Sequence, residues 1–161
     1  DRTAGAAAHH VSAAPRTSVV TRIDFYHEAE DRLAIACRLV AKAFQQQLRV
    51  VIYAPRAEVA DAVDRMLWIS PSIGFLPHVR ADHRLAPETP ILIAGEDSDP
   101  LTHDDVLINL DDKWPPAFSR FQRLIEIVSR DETDKQQARA RFRFYKDRGY
   151  PIHTHNLAAR A

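Results

Sequence analysis

Short apolar runs separated by longer amphipathic segments are the feature that most constrains the fold of this chain. The run "LRVVIYAP" (residues 48–55) is almost entirely apolar and ends at a proline, as a strand covered on both faces does. On either side of it, residues 28–47 and 56–69 carry apolar side chains at spacings of three and four, which is typical of helices that bury one stripe. Strands alternating with helices predict a three-layer α/β fold with a mostly parallel sheet, although a mixed sheet stays open.

The rest of the chain continues this alternation. Further strands are predicted at residues 18–27, 89–95, 104–110, 123–128 and 150–155, with a polar loop at 78–89 and a short helix at 116–121. A final helix is predicted from about residue 131 to 148, because acids occupy its first turn and Gly149 follows its last.

Length and composition predict one domain. The chain has 161 residues and is 45% apolar, so residues 18–161 can bury a core of ordinary size; residues 1–17 are interpreted as a disordered extension or an expression remnant. Acidic and basic residues are equal in number, so any electrostatic binding surface must be a local patch. The single cysteine and the absence of a run of about 18 apolar residues predict a cytoplasmic protein without a membrane span.

Residues suited to catalysis do not form a convincing site in the sequence. The four glycines are too far apart to make a phosphate-binding loop. The other candidate metal-binding or catalytic residues have simpler structural interpretations. The histidines His153 and His155, and His103 beside Asp104 and Asp105, are interpreted as exposed or hydrogen-bonded side chains. Cys37 is interpreted as a buried thiol, and Asp111 and Asp112 as carboxylates of a turn. We therefore predict no active site, no metal and no cofactor.

The stretch "KQQARARFRFYKDRGY" (residues 135–150) gathers six bases and four aromatic rings against one acid. On a helical wheel four bases share one stripe and three apolar or aromatic residues share the next: Lys135, Arg139, Arg143 and Lys146, beside Ala138, Phe142 and Tyr145. Three interpretations stay open at this point. The helix is a surface helix with solvated bases, a docking groove for a ligand with carboxylates and an apolar side chain, or a site for a single nucleic-acid strand.

From about residue 21 to 157 the sequence resembles the chi subunit family of the bacterial DNA polymerase III holoenzyme. The resemblance rests on "IDFYH", "RVVIYAP", "LW" followed by "GFLPH", "VLINL" and "ARARFRFYKDRGYPIHTHNL", in this order and spacing. It implies a non-catalytic accessory protein that links the clamp loader to single-stranded DNA-binding protein, whose acidic C-terminal tail ends in a hydrophobic residue. Contact with DNA would then be mainly indirect, and direct weak binding of single-stranded DNA is the alternative.

The resemblance also implies two binding surfaces. The tail-binding positions correspond to Val128, Lys135, Arg139, Phe142 and Arg143, and the stripes on the same helix add Tyr145 and Lys146. The family's usual Tyr-Lys pair is Phe142-Arg143 here, which removes a hydroxyl and keeps the charge. The surface for the psi subunit, or for a repair helicase, corresponds to Trp68, Phe75, Leu76 and Pro77. Without the resemblance, this second cluster would be interpreted as a lid on the core.

Overall fold

The computed structural model describes residues 20–69, 74–98 and 103–158. Within these residues, seven strands and three α-helices follow one another in this order: β1 (Arg22–Ala29), α1 (Arg32–Gln45), β2 (Val50–Tyr53), α2 (Ala57–Ile69), β3 (His78–Arg80), β4 (Ile91–Ala94), β5 (Val106–Asn109), β6 (Arg123–Ser129), α3 (Glu132–Asp147) and β7 (Ile152–Asn156). Two 3-10 turns, Ala86–Glu88 and Phe118–Arg120, precede β4 and β6. The second of these turns lies where the sequence predicts a short helix.

The seven strands form one sheet in the order β3-β4-β2-β5-β6-β1-β7. Every strand pair in the described part of the chain is parallel. Helices α1 and α2 pack on one face of the sheet and α3 packs on the other. Each face of the sheet has its own apolar cluster. The prediction of a three-layer α/β fold is confirmed, and the sheet is parallel throughout these residues rather than mixed.

The central strand β2 shows why continuous apolar runs predict this architecture. Val50 and Ile52 point into the cluster formed with α1 and α2, whereas Val51 and Tyr53 point into the cluster under α3. All four residues are buried because successive side chains of a strand point to opposite faces and both faces are covered.

Residues 78–89 differ from the predicted polar loop. They contain the edge strand β3, which pairs only with β4, and the 3-10 turn at Ala86–Glu88. A three-residue strand with one apolar side chain, Val79, carries too little periodicity to be distinguished from a loop. The predicted N-terminal extension, residues 1–17, lies outside the described residues.

Both ends of α3 follow from local chemistry. The Asp131 carboxylate accepts a hydrogen bond from the Asp134 amide at 3.1 Å, which satisfies one of the free N–H groups of the first turn. After the helix, Gly149 adopts a φ of +85°, a left-handed conformation that glycine enters without steric cost. The helix therefore begins and ends where the sequence predicts.

The buried carboxylate of Asp24 joins three neighbouring strands. Asp24 lies on β1. Its carboxylate accepts hydrogen bonds from Arg123 Nε on β6 at 2.8 Å, from His155 Nε2 on β7 at 2.8 Å and from Arg22 Nε on β1 at 3.1 Å. Burial by itself raises the pKa of Asp24, but the hydrogen bonds from these three residues outweigh burial, so the net pKa lies below the ordinary value of 3.8. This side of the sheet is therefore stabilised by an ionised Asp24.

We predict that Asp24→Asn lowers the free energy of unfolding at pH 7 by about 1–3 kcal/mol, because charge-assisted hydrogen bonds to β6 and β7 are lost. A depressed carboxyl pKa stabilises the fold above the unfolded pKa, and this stabilisation disappears as pH falls through the folded pKa. Urea unfolding at pH 7 and at successively lower pH should show the two proteins converging below about pH 4. A difference that stays constant over this range would contradict the assignment.

Candidate functional site

An open groove of about 680 Å³ lies between α3 and the carboxyl-terminal parts of β1 and β6. Strands supply one wall and the helix supplies the other. The lining residues are Phe25, His27, Glu28, Val128, Lys135, Ala138, Arg139, Phe142, Arg143, Lys146, Asp147 and Thr154. The groove is therefore built by segments that are distant in sequence and meet only in the parallel sheet.

The floor of the groove is apolar. Phe25 of β1 and Phe142 of α3 pack with ring centroids 5.4 Å apart, and Ala138 and Val128 belong to the same apolar cluster. Phe142 is only partly buried, so one part of its ring supports the core and another part faces the groove. Such a floor can accept one apolar side chain of a ligand.

Four bases from successive turns of α3 line the groove: Lys135, Arg139, Arg143 and Lys146. The Lys135 ammonium pairs with the Glu28 carboxylate at 3.0 Å, and Arg139 pairs with Glu132 at 3.5 Å in a solvent-exposed contact. Arg143 and Lys146 have no carboxylate within 4.0 Å among the residues that the structure describes. The groove thus combines an apolar floor with a basic rim.

Six of the seven residues predicted for tail binding line this groove: Val128, Lys135, Arg139, Phe142, Arg143 and Lys146. Tyr145 does not, because its side chain is fully buried and its hydroxyl donates to Glu126 at 2.6 Å. A ligand in the groove cannot reach this ring directly, and the structure corrects that part of the sequence interpretation.

Sequence reasoning did not include the strand residues of the groove, Phe25, His27, Glu28 and Thr154. Alternation along a strand places Phe25 and His27 on one face, which is a signal that the sequence contains. The pairing of Phe25 with Thr154 across β1 and β7 is set by the sheet register and has no local signal.

A buried polar cluster lies under α3. Glu126 of β6 accepts hydrogen bonds from Arg141 Nε at 3.0 Å, from Tyr145 at 2.6 Å and from Asn109 Nδ2 at 3.0 Å. Burial raises the pKa of Glu126, and the donors Arg141, Tyr145 and Asn109 oppose this rise. Glu126 is the only acid within "RLIEIV", and an acid inside a buried strand is the sequence signal that a base must reach it.

The second predicted surface lies at the end of α2. Trp68 and Phe75 are 58% and 70% exposed, their ring centroids are 6.0 Å apart, and Ile69 beside them is 66% exposed. We call these three residues the Trp68 patch. Leu76 does not belong to it, because this side chain is 2% exposed and packs in the core under α1 and α2. Leu76 is thus a core residue that supports the patch, and Pro77 is partly buried.

The Trp68 patch and the groove lie on different sides of the molecule. Trp68 belongs to α2 and Phe75 leads into the edge strand β3, whereas the groove lies on the α3 face over β1. Four strands separate β3 from β1, which at about 4.8 Å per strand places these two strands roughly 24 Å apart. Two ligands could therefore occupy the two surfaces together.

Comparison with known proteins identifies the family of this chain. The model of the family described as DNA polymerase III chi subunit, HolC, matches residues 20–153. The chain belongs to this family. The family consists of accessory subunits of the replicative polymerase, so the resemblance stated from the sequence is confirmed.

Curated relatives match along most of their length. The DNA polymerase III subunit chi of Pseudomonas aeruginosa is 34% identical over 142 residues, which covers 86% of this chain and 98% of the relative. The subunits of Haemophilus influenzae and Escherichia coli are 30% and 26% identical, with coverage of 76% and 74% of this chain and 85% and 82% of theirs. Among solved structures, the Hef helicase domain of Pyrococcus furiosus reaches a TM-score of 0.48 at 12% identity, covering 68% of this chain and 27% of that one.

Several of the candidate catalytic side chains make structural contacts in this chi-family fold. His155 pairs with Asp24 and stacks on Tyr26, and His103 lies 2.6 Å from the Thr89 carbonyl oxygen. Burial raises the pKa of the Cys37 thiol to about 11, which keeps it protonated at neutral pH. Within residues 20–69, 74–98 and 103–158, no three His, Cys, Asp or Glu side chains form a metal-binding group. None of the helices in this part of the chain is long and apolar enough to cross a membrane.

We predict that Arg141→Ala destabilises the fold by about 3–5 kcal/mol, because it leaves the Glu126 carboxylate buried without its cationic partner. Arg143→Ala is the matched control, since it removes an exposed base from the same helix and should change stability by about 0.5 kcal/mol or less. Urea unfolding monitored by circular dichroism gives both values. Equal effects of the two substitutions would show that the buried pair does not anchor α3.

Proposed function

We propose that this protein is a non-catalytic bridging subunit of the replication machinery. Its groove binds the acidic C-terminal tail of single-stranded DNA-binding protein. Its Trp68 patch binds the psi subunit, or an equivalent partner such as a repair helicase, and so connects to the clamp loader. The observation that carries the proposal is the presence of an apolar floor and a basic rim in one groove, together with membership of the chi family.

The groove fits a peptide that ends in an apolar residue with a free carboxylate. In the proposed complex the terminal carboxylate and the preceding acids pair with Lys135, Arg139 and Arg143, and the last apolar side chain packs on Phe142 and Val128. Arg143 offers a planar fork of donors, which suits a carboxylate better than an ammonium does. Because Phe142 lacks a hydroxyl, its ring contributes apolar contact and no hydrogen bond.

We predict that Arg139→Ala weakens binding of an acidic tail peptide by on the order of thirtyfold, since truncating a central interface arginine commonly costs about 2 kcal/mol or more. Fluorescence anisotropy with a labelled peptide, a run of aspartates followed by a terminal phenylalanine, measures the affinity. The matched control is Lys42→Ala, an exposed base in the last turn of α1, which should leave the affinity unchanged. Rising salt should weaken binding without abolishing it, because the apolar contact is not screened.

Two altered peptides test the roles of the floor and the rim separately. Amidation of the peptide's C-terminus removes one charge and should weaken binding through the loss of an arginine contact. A peptide without its terminal phenylalanine should bind less tightly because it leaves the floor around Phe142 empty. If this shortened peptide binds as well as the full one, the groove is only a charged patch and the proposal is wrong.

We predict that Phe75→Ala abolishes capture of psi and leaves tail-peptide binding within about twofold, because distant sites in a rigid domain behave additively. Phe75 is 70% exposed, so its truncation should not disturb the core. Co-purification with psi and anisotropy with the tail peptide are measured on the same preparation. Simultaneous loss of both activities with an intact circular dichroism spectrum would show that the surfaces are not independent.

Direct binding of single-stranded DNA is the second candidate function. The observation that favours it is Trp114, which is 43% exposed and stacks on Phe144 with centroids 3.6 Å apart, while Arg148 covers the Phe144 ring at 3.7 Å. An exposed indole beside a guanidinium can stack a base and contact a phosphate. A balanced net charge limits the number of phosphate contacts, however. Anisotropy with labelled oligothymidine compares this candidate directly with tail binding.

A further inference from the structure

Glu28 occupies an irregular position at the mouth of the groove. Strand β1 pairs regularly with β6 as far as Tyr26, opposite Ile127, and resumes at Ala29, opposite Ser129. One additional residue on β1 is therefore accommodated between these two pairs, as in a β-bulge. The bulge contains His27 and Glu28, and both residues line the groove.

The backbone of Glu28 is left-handed, with a φ of +62°. Residues other than glycine rarely adopt this conformation, because the Cβ atom crowds the backbone. A glycine would meet the requirements of the bulge without strain. A glutamate at this position indicates a role for its side chain, because strained non-glycine residues cluster at binding sites.

The Glu28 side chain reaches across the groove to α3. Its Oε2 lies 3.0 Å from Lys135 Nζ, and its Oε1 lies 3.9 Å from Arg130 Nε. Hydrogen bonding to Lys135 lowers the pKa of Glu28, so the carboxylate is charged at neutral pH. The position beside Lys135 that an incoming carboxylate would occupy is therefore already filled by an anion of the protein itself.

The other bases of the groove differ in this respect. Arg139 has only the long, solvent-exposed contact with Glu132. Arg143 and Lys146 have no acidic partner within 4.0 Å in the part of the chain that the structure describes. Glu28 thus acts on one end of the groove, next to Val128, whereas Asp147 lines the other end without pairing with Arg143 or Lys146 within 4.0 Å.

We propose that Glu28 is an internal competitor that an acidic peptide must displace from Lys135 before it fills the groove. This inference rests on the proposed function and adds a determinant of affinity and selectivity at the same site. Displacement replaces one carboxylate at Lys135 with another, so this contact contributes little net affinity, and the displaced Glu28 repels the acids of the ligand. A ligand with a single carboxylate gains almost no binding free energy when it replaces Glu28 at Lys135. A peptide that is also held by Arg139, Arg143 and the apolar floor gains enough from those contacts to displace Glu28.

The experiment compares Glu28→Gln with the wild-type chain in anisotropy titrations with the aspartate-run peptide ending in phenylalanine. Loss of a competing surface ion pair and of the repulsion should tighten binding by about threefold to tenfold. The gain should shrink as salt increases, since it is electrostatic. Glu132→Gln is the matched control. It removes an acid from the exposed 3.5 Å pair that Glu132 and Arg139 form within α3, and it should change the peptide affinity less than about 1.5-fold.

Two further variants show whether Glu28 acts through Lys135. In a Lys135→Ala background, Glu28→Gln should raise the peptide affinity by less than half the factor that it does when Lys135 is present. The reason is that no Lys135 ammonium remains to be freed from Glu28. Glu28→Gly suits the left-handed backbone and removes the carboxylate, so it should fold normally and also bind more tightly. An equal gain with and without Lys135 would overturn the competition and leave only general repulsion.

The outcomes separate this inference from the proposed function. If wild type binds the peptide and Arg139→Ala weakens binding, but neither Glu28 variant binds more tightly, the competition is wrong and the docking function stands. If Glu28→Gln weakens binding, Glu28 positions Lys135 for the ligand, which also overturns the competition. If wild type does not bind the peptide, the proposed function and this inference are both wrong.

Discussion

The buried ion pair between Glu126 and Arg141 is the contact on which the position of α3 depends. Of the sixteen residues of α3, Ala138, Arg141 and Tyr145 are buried, and Phe142 and Phe144 pack partly exposed against the same cluster. Apolar packing is non-directional, so these side chains alone would allow more than one rotation of the helix. A charged pair that must be satisfied permits only one, because shifting the helix would leave a carboxylate and a guanidinium buried without partners.

The groove follows from that rotation. Phe142 comes directly after Arg141, so fixing Arg141 against the sheet places the Phe142 ring at the boundary between the core and the groove, beside Phe25. The bases of successive turns then line the opening instead of spreading around the helix. An interaction that is entirely buried thus determines the geometry of a surface feature, and the floor and the rim are coupled through it.

The chain also shows how a protein with no net charge can present an electrostatic site. Its 22 basic and 22 acidic residues cancel overall, yet one helix places four bases on one groove. Glu28 and Glu132, which pair with two of these bases, are held differently: Glu132 makes an exposed contact within α3, whereas Glu28 lies in a strand bulge. The strength of such a site therefore depends on which of its bases already have partners as well as on how many there are.

The sequence by itself determined the fold class, the alternation of elements, both ends of α3 and the basic and aromatic composition of that helix. These properties depend on short-range periodicity and capping, which involve residues close together in the sequence. The tertiary structure alone decided that Tyr145 and Leu76 belong to the core, that β3 is a strand, and that Phe25, Thr154 and Glu28 share a groove with α3. Parallel strand pairing brings together residues more than a hundred positions apart, and no local pattern encodes the register or the side of a helix on which a buried charge finds its partner.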